Sequence, residues 1–442
     1  MRTFYIETFG CQMNEHDSEK VAGLLARRGF QKASSPDLAD VFLINTCSIR
    51  EKAEQKVYSR LGAYRSHKKT NPEFILGVLG CVAQQEGTEF IRKAPFIDLV
   101  VGTHRYHEIP HLLEQILADR RPIVRTEPMD DPQPVEIDAV LRENSYRANV
   151  TIMEGCNNFC TFCVVPYTRG PERYRASHRI LDEVRRLASA GYVEVLLLGQ
   201  NINSYKDPSP GKLSFSELLK EVAEVPGIRR VRFTTNHPKD FTQDILEVME
   251  ANETLCNWIH LPAQSGSSRV LRRMKRLYNR DRYLEIINSI KALKRKMALS
   301  TDIIVGFPGE TEEDFEQTLS LVDEVQYDSI FSFRYSPRPK TPALKLESRE
   351  AVPEPVKEAR LTQLQAMQRR IQLHHNSLLL GTEQDVLVEG KARDGKKWFG
   401  RTTANKIVNF ESDNVASGQF LRVTVTGFGA NSLRGQPTEG MP

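Results

Sequence analysis

Three cysteines fall within eight residues, Cys156-Asn-Asn-Phe-Cys160-Thr-Phe-Cys163, and no fourth Cys or His follows at zinc-site spacing. Three thiolates so placed can hold three corners of an iron–sulfur cubane and leave one iron without a protein ligand. That open position is what a site needs to bind and activate a small molecule. A structural zinc knuckle and three inert core cysteines are the alternatives, and the first of these favours two CxxC-like pairs with a closed fourth position. Cys11, Cys47 and Cys81 are far apart in the chain, but each stands just past an apolar, strand-like run: residues 2–8, 41–46 and 74–80. In an open parallel sheet the C-terminal strand ends share one edge, so these three can converge as a second ligand set. The alternative is burial as small hydrophobes, the usual fate of a free cysteine. Cys256 pairs with neither trio and reads as an inert core thiol.

The elements that must position these residues follow from periodicity. Strand-like runs at residues 2–8, 41–46, 74–80 and 99–102 alternate with amphipathic segments such as 18–28, the rhythm of an open parallel sheet. A proline- and acid-rich stretch, 120–133, ends this first unit. Six further runs, 150–155, 193–199, 231–235, 258–261, 299–306 and 329–335, are separated by helical segments at 181–190, 215–225, 282–296 and 312–325. They predict an incomplete (β/α)6 barrel with the CxxxCxxC loop just past its first strand, where barrel chemistry sits. Thr311 and Asp314 form a capping-box pattern that starts one of the helices. A connecting helix over 356–379 leads to a tail whose short strands predict a small antiparallel β-barrel. The fold class is therefore α/β, with domains expected at 1–130, 142–376 and 377–442.

Composition bounds the reading. At roughly 150 residues per domain, 442 residues suggest about three domains. A net charge of +4, from 61 basic and 57 acidic residues, does not by itself mark a nucleic-acid binder. No apolar run reaches membrane-span length, and the start MRTFYIETFG lacks a signal-peptide pattern, so a cytoplasmic location is the expectation. In a reducing compartment seven cysteines are unlikely to be disulfide staples, which leaves metal binding or chemistry.

The CxxxCxxC spacing with Phe162 before the last cysteine resembles the radical S-adenosylmethionine (SAM) enzymes. FGCQMNEHDSE, NTCSIREKAEQKVYSRLG and GVLGCVAQQEG resemble the N-terminal domain of the methylthiotransferases. NTCSIREKA and IMEGCNNFCTFCVVPYTRG are similar to the branch acting on tRNA that already carries N6-isopentenyladenosine. The resemblance implies a SAM-binding [4Fe-4S] cluster on Cys156, Cys160 and Cys163, which would be the catalytic residues, and an auxiliary [4Fe-4S] cluster on Cys11, Cys47 and Cys81. It also implies that the C2 hydrogen of isopentenyladenosine, next to the anticodon, is replaced by methylthio. One SAM would methylate sulfur and a second would yield the radical. An electron donor and a sulfur source are implied but not identified.

Phe162, Gly199, Gln200, Asn236, Gln264 and Ser265 then fall where the cofactor would be lined, with His237 and the GFPGE loop at 306–310 beside them. Neutral amides and hydroxyls suit a zwitterion and a sugar. WFGRTTANKIVNFE resembles the TRAM domain, a small RNA-binding barrel, and it lies in a stretch with Lys391, Arg393, Lys396, Lys397, Arg401 and Lys406 against Asp394 alone. Lys391, Lys396, Lys397, Trp398, Arg401 and Lys406 are the expected RNA contacts, with a further basic stretch at 269–282. His104, His107 and His111, at helical spacing, read as a solvated face, as do His374 and His375. Three positions depart from the family pattern: Lys340 and Leu277 where Gly is usual, and Tyr174 in ERYR. Rival readings are the branches acting on threonylcarbamoyladenosine in tRNA or on a ribosomal-protein aspartate, and a non-catalytic iron–sulfur RNA-binding protein.

Overall fold

The computed structural model describes residues 2–48, 51–129, 136–392 and 395–438. Arg393 and Asp394 of the basic stretch, and residues 130–133 of the proline-rich segment, lie outside them.

The first unit is a six-stranded parallel sheet of β1 (Thr3–Phe9), β2 (Gln31–Lys32), β3 (Val41–Thr46), β4 (Ile75–Gly80), β5 (Leu99–Val101) and β6 (Ile123–Arg125), in the order β2-β1-β3-β4-β5-β6. β3 and β4 are buried along their whole length, and separate apolar clusters cover the two sheet faces. That is why VFLINT and ILGVLG read as near-continuous apolar runs rather than alternating ones. The first helix spans Gln12–Arg27, six residues earlier than its apolar period predicts. Its opening turns are polar yet buried, with Asn14, His16 and Asp17 all nearly inaccessible, so no apolar stripe announces them.

The barrel strands are β7 (Arg147–Thr151), β10 (Glu194–Leu198), β11 (Arg230–Phe233), β12 (Trp258–His260), β13 (Ala298–Val305) and β14 (Ser329–Arg334). Between β7 and β10, the short strands β8 (Met153–Glu154) and β9 (Arg173–Tyr174) pair antiparallel and close the base of the cysteine loop. The barrel strands run in parallel as β7-β10-β11 and β12-β13-β14, and a bridge from Val231 to Leu255 joins the two sets. Among the described residues no ladder joins β7 to β14, so the barrel is open on that side. Val150, Val195, Leu197, Val231, Ile259, Ile303 and Val305 pack outward into one core with the surrounding helices. Strand alternation turns their neighbours into the lumen. Thr311 and Asp314 make the predicted capping box at the helix Glu312–Val325.

The helix Glu354–Ser377 crosses β14 and leads to a closed barrel of β15 (Glu383–Lys391), β16 (Trp398–Thr402), β17 (Ile407–Phe410), β18 (Phe420–Phe428) and β19 (Leu433–Pro437), ordered β15-β16-β17-β19-β18. β16 and β19 are additions to the sequence reading. This small barrel docks on the N-terminal ends of the large barrel's strands. Arg230 donates to the carbonyls of Arg401 and Asp385 at 2.7 Å, and Arg232 to those of Thr402 and Thr403 at 2.7 and 3.1 Å. Lys406 pairs with Asp328 at 2.8 Å, just ahead of β14.

Two departures from the family pattern now have a physical description. Leu277 and Lys340 adopt φ of +60° and +66°, the left-handed region glycine enters freely. Leu277 is 63% exposed, so its side chain returns little packing. Leu277→Gly should therefore raise stability by about 0.5–1 kcal/mol, the left-handed cost for an L residue less the extra chain entropy of glycine. Urea unfolding checks it, and a loss of stability would show that the loop is unstrained.

Candidate functional site

The cysteine loop leaves β8 through Gly155, at φ +80°, where a Cβ would stand 2.0 Å from the Pro171 carbonyl oxygen. Only glycine permits that approach. The Gln200 side chain accepts from the Gly155 N–H, and Cys156 N donates to Gly170 O at 3.1 Å. The variant ERYR segment also serves the loop. Glu172 accepts from the Asn157 side chain, donates its own N–H to Asn157 Oδ1 at 3.1 Å, and takes the Tyr174 hydroxyl at 2.6 Å. Further on, Thr161 binds the Arg273 and Met274 carbonyls, and Phe162 packs against Val270, Met274 and Phe307.

Cys156 and Cys160 are buried and Cys163 is half-buried. Burial, with the neighbouring Cys160, pushes the Cys156 thiol up to about 11 and the Cys163 thiol to about 12. Arg276, fully enclosed, points its guanidinium at Cys160 Sγ, 3.4 Å away. Among the described residues no three His, Cys, Asp or Glu side chains stand close enough to hold a single metal ion. Three thiolates that each bind a different iron of a cubane need not meet at one point. The barrel mouth fits a polar cofactor as well. Asn158 Nδ2, Asn201 Oδ1, Asn236 Oδ1, His237 Nε2 and Gln264 Oε1 are buried without hydrogen-bond partners, and such orphaned groups call for a ligand or water. Burial and Arg276 push the His237 imidazole down to about 2, so it is neutral.

The expected cofactor residues divide by what their side chains do. Asn236 and Gln264 keep free acceptor capacity, although Asn236 Nδ2 is tied to His260 O at 2.9 Å. Gln200 is committed to the loop. The Ser265 hydroxyl is spent on Thr318 and the Ser267 N–H, and Gly199 lets Met153 pack against its backbone. Asn201 stands beside Gln200 among the residues expected after the second barrel strand, Arg276 entered only as one member of the basic stretch 269–282, and Asn158 carried no expectation of its own. An arginine among many arginines and asparagines in turns carry no signal of a long-range partner.

Cys11, Cys47 and Cys81 do converge. Cys47 hydrogen-bonds Cys11 and holds its thiol down to about 6, while burial raises Cys81 despite the nearby Arg169. Arg169, from the residue that ends the short helix Val165–Thr168 after the cysteine loop, is buried with Asp17 at 2.6 Å and lies beside Cys81 and Cys11. On its other side Cys11 packs with Met13 against Leu196 and Leu198, on the inner wall of the barrel. The two cysteine trios are thus linked by residues 163–169.

The histidine reading needs correction. His104 is buried in a loop under Gly170, its imidazole lowered to about 4 by burial and by Arg173. His107 sits in a separate short turn, and only His111 is a solvated residue of the helix Ile109–Asp119. The 3-10 turn Tyr106–Glu108 runs straight into the helix at Ile109 and His104 lies in the turn ahead of both, so the three histidines share no single helix face. His374 is exposed, whereas His375 reaches Gln326 O at 2.8 Å.

The basic stretches are also redistributed. Arg269, Arg273, Arg280 and Arg282 pair with Asp314, Glu350, Glu324 and Glu285. In the tail, Arg401 pairs with Glu389 at 2.9 Å within the small barrel and meets the large barrel through its carbonyl, which accepts from Arg230, while Lys406 pairs with Asp328 across the domain interface. Lys391 lies over the Trp398 ring at 5.6 Å, Lys396 is exposed, and Lys397 is 3.8 Å from Glu411.

Three family models match the chain: Uncharacterized protein family UPF0004 over residues 3–102, the Radical SAM superfamily over 150–322, and the TRAM domain over 378–438. A relative from Solibacter usitatus (strain Ellin6076), named tRNA-2-methylthio-N(6)-dimethylallyladenosine synthase, is 52% identical over 439 residues, 98% of each chain. The chain belongs to the tRNA-2-methylthio-N(6)-dimethylallyladenosine synthase family. A second member of this synthase family, from Koribacter versatilis (strain Ellin345), is 49% identical over 98% of both chains. The radical SAM methyltransferase TsrM from Kitasatospora setae is similar in fold alone. It is 14% identical with a TM-score of 0.55, covering 78% of this chain and 74% of that one. Radical SAM membership brings one [4Fe-4S] cluster and SAM as cofactors. No helix among the described residues is long and apolar enough to cross a membrane.

Proposed function

We propose that this enzyme converts N6-isopentenyladenosine next to the anticodon of tRNA to its 2-methylthio derivative, with Cys156, Cys160 and Cys163 holding the SAM-binding cluster and Cys11, Cys47 and Cys81 an auxiliary one. The observation that carries the reading is Cys11 against Leu196 and Leu198, because it opens the N-terminal trio onto the lumen beneath the CxxxCxxC loop. Cluster and SAM, when bound, supply one-electron cleavage to a radical able to remove the hydrogen from C2, an unactivated carbon beyond acid–base chemistry. The chain's own residues do the rest. Arg276 holds a positive charge at Cys160, Asn236, Gln264 and Asn158 offer neutral hydrogen bonds to the cofactor, and the buried mouth excludes water. The modified base must leave its stack to enter. Total tRNA nucleosides from a strain lacking the protein test the function. Loss of 2-methylthio-isopentenyladenosine with accumulation of its precursor supports it, and an unchanged profile refutes it. A tRNA substrate also makes the cytoplasm its place of work.

RNA contact falls to Lys391, Lys396, Lys397 and Trp398 in this reading, with Arg401 and Lys406 holding the domain that presents them. Lys391→Ala should weaken tRNA binding and lower the slope of log affinity against log salt by about 0.9, one phosphate contact. Lys406→Ala should leave that slope unchanged, because its ammonium is already paired with Asp328. Equal slopes for the two variants would remove Lys391 from the interface.

A further inference from the structure

The lumen carries an aromatic wall that the cofactor sites do not use. Ile259, Leu299, Ile303 and Ile330 face the outer helices, so Trp258, His260, Ser300, Asp302 and Phe331 face inward. Trp258 and His260 stack with centroids 6.1 Å apart, and Phe331 meets His260 edge-on at 5.8 Å. His260 is fixed from both nitrogens, Nδ1 on Ser300 Oγ at 3.0 Å and Nε2 towards Asp302 at 3.6 Å. Phe331, on a barrel strand facing inward, is nonetheless 47% exposed. A rigid apolar ring left open inside an enzyme's lumen is surface available to a ligand.

Depth and charge narrow the ligand. Phe331 stands three residues short of the end of β14, roughly 10 Å below the mouth at strand rise. In adenine, C2 and the N6 substituent lie on either side of N1. A base with C2 at the mouth can therefore direct its N6 substituent into the lumen and off the cofactor. Asp302 stands beside the wall. The lumen's lower arginines are both committed, Arg230 to Asp385 and to the carbonyls of Arg401 and Asp385, and Arg232 to Glu194 and to the carbonyls of Thr402 and Thr403. An uncharged alkyl chain suits these surroundings and a carboxylate does not.

We infer that Trp258 and Phe331, with His260 locked between them, seat the apolar N6 substituent of the substrate adenosine and select the prenylated base over both the unmodified and the anionic, amino-acid-bearing one. The inference rests on the proposed function. It makes Phe331 and Trp258 specificity residues of the known reaction.

The test uses anaerobically reconstituted full-length protein and two synthetic anticodon stem-loop RNAs that differ only in the isopentenyl group. Wild type should bind the prenylated RNA at least roughly tenfold more tightly, as burying even part of a five-carbon chain implies. Phe331→Ala and Trp258→Ala should bring the ratio towards one while affinity for the unprenylated RNA stays within about twofold, and Phe331→Leu should restore most of the preference. If the wall stacks on the base itself, both affinities fall together and the ratio persists, which overturns the seat. So does a wild type that methylthiolates prenylated RNA without preferring it in binding. A wild type that cleaves SAM yet never methylthiolates prenylated RNA defeats the functional reading instead, a separate result.

Discussion

Alanine at Cys156, Cys160 and Cys163 together is expected to reduce 5′-deoxyadenosine formation from SAM to background, whereas alanine at Cys11, Cys47 and Cys81 should leave that cleavage and stop methylthiolation. The split follows from where the two sets lie. The first trio rims the mouth, among the orphaned amides of Asn158, Asn236 and Gln264. The second is carried by the N-terminal sheet and meets the lumen through Cys11. The second triple variant should also lose about half the bound iron of the reconstituted wild type, as the loss of the proposed auxiliary [4Fe-4S] cluster beside an equal one requires. Iron content by colorimetry and product by mass spectrometry read the two outcomes separately. Full iron and full methylthiolation in that variant would end the auxiliary-cluster reading.

Arg169→Met should destabilise the N-terminal domain by about 3–5 kcal/mol, the usual consequence of removing one partner from a buried ion pair. Asp17 and Arg169 are 1% and 5% exposed at 2.6 Å, and Tyr106 adds a hydroxyl to the same carboxylate. Burial already raises the Asp17 carboxyl against the opposing pull of Arg169. Without the guanidinium it rises further, and the native state then binds a proton that the unfolded chain releases above the ordinary aspartate range. The deficit should therefore widen as pH rises from about 4, and Asp17→Asn in the same background should recover much of it. Denaturant midpoints measured across pH decide the matter. A deficit independent of pH, or no rescue by Asp17→Asn, would mean that Arg169 acts through its contacts with the cysteines rather than through Asp17.

Local pattern made the strands readable. VFLINT is β3 to the residue, and the barrel strands fall within a few residues of their apolar runs, because buried strands leave a contiguous signature. Both cysteine trios were visible as spacing or as position past a strand. What stayed hidden was partnership at long range. Arg276 and Arg269 look alike in sequence, yet one faces Cys160 and the other Asp314. Arg401 and Lys406 belonged to a basic cluster by composition and to a domain interface by contact, since charge reports a need for partners without naming them. The start of the helix Gln12–Arg27 was obscured because an interface of buried ions has no hydrophobic period. Trp258 and His260 lie on β12 and Phe331 on β14, and only the parallel register through β13 brings them together.

The small C-terminal barrel is anchored at Tyr146, Arg147, Arg230, Arg232 and Asp328, all at the ends of the strands remote from the cysteine loop. The longest of these strands, β13, has eight residues and measures about 26 Å. An RNA bound as proposed, with its modified base at the mouth and its stem on the small barrel, would be gauged by a fixed calliper. A hairpin whose stem is too short to reach the far jaw can still offer its loop to the chemistry, so trimming the stem should raise the concentration needed for turnover and leave the rate at saturation alone.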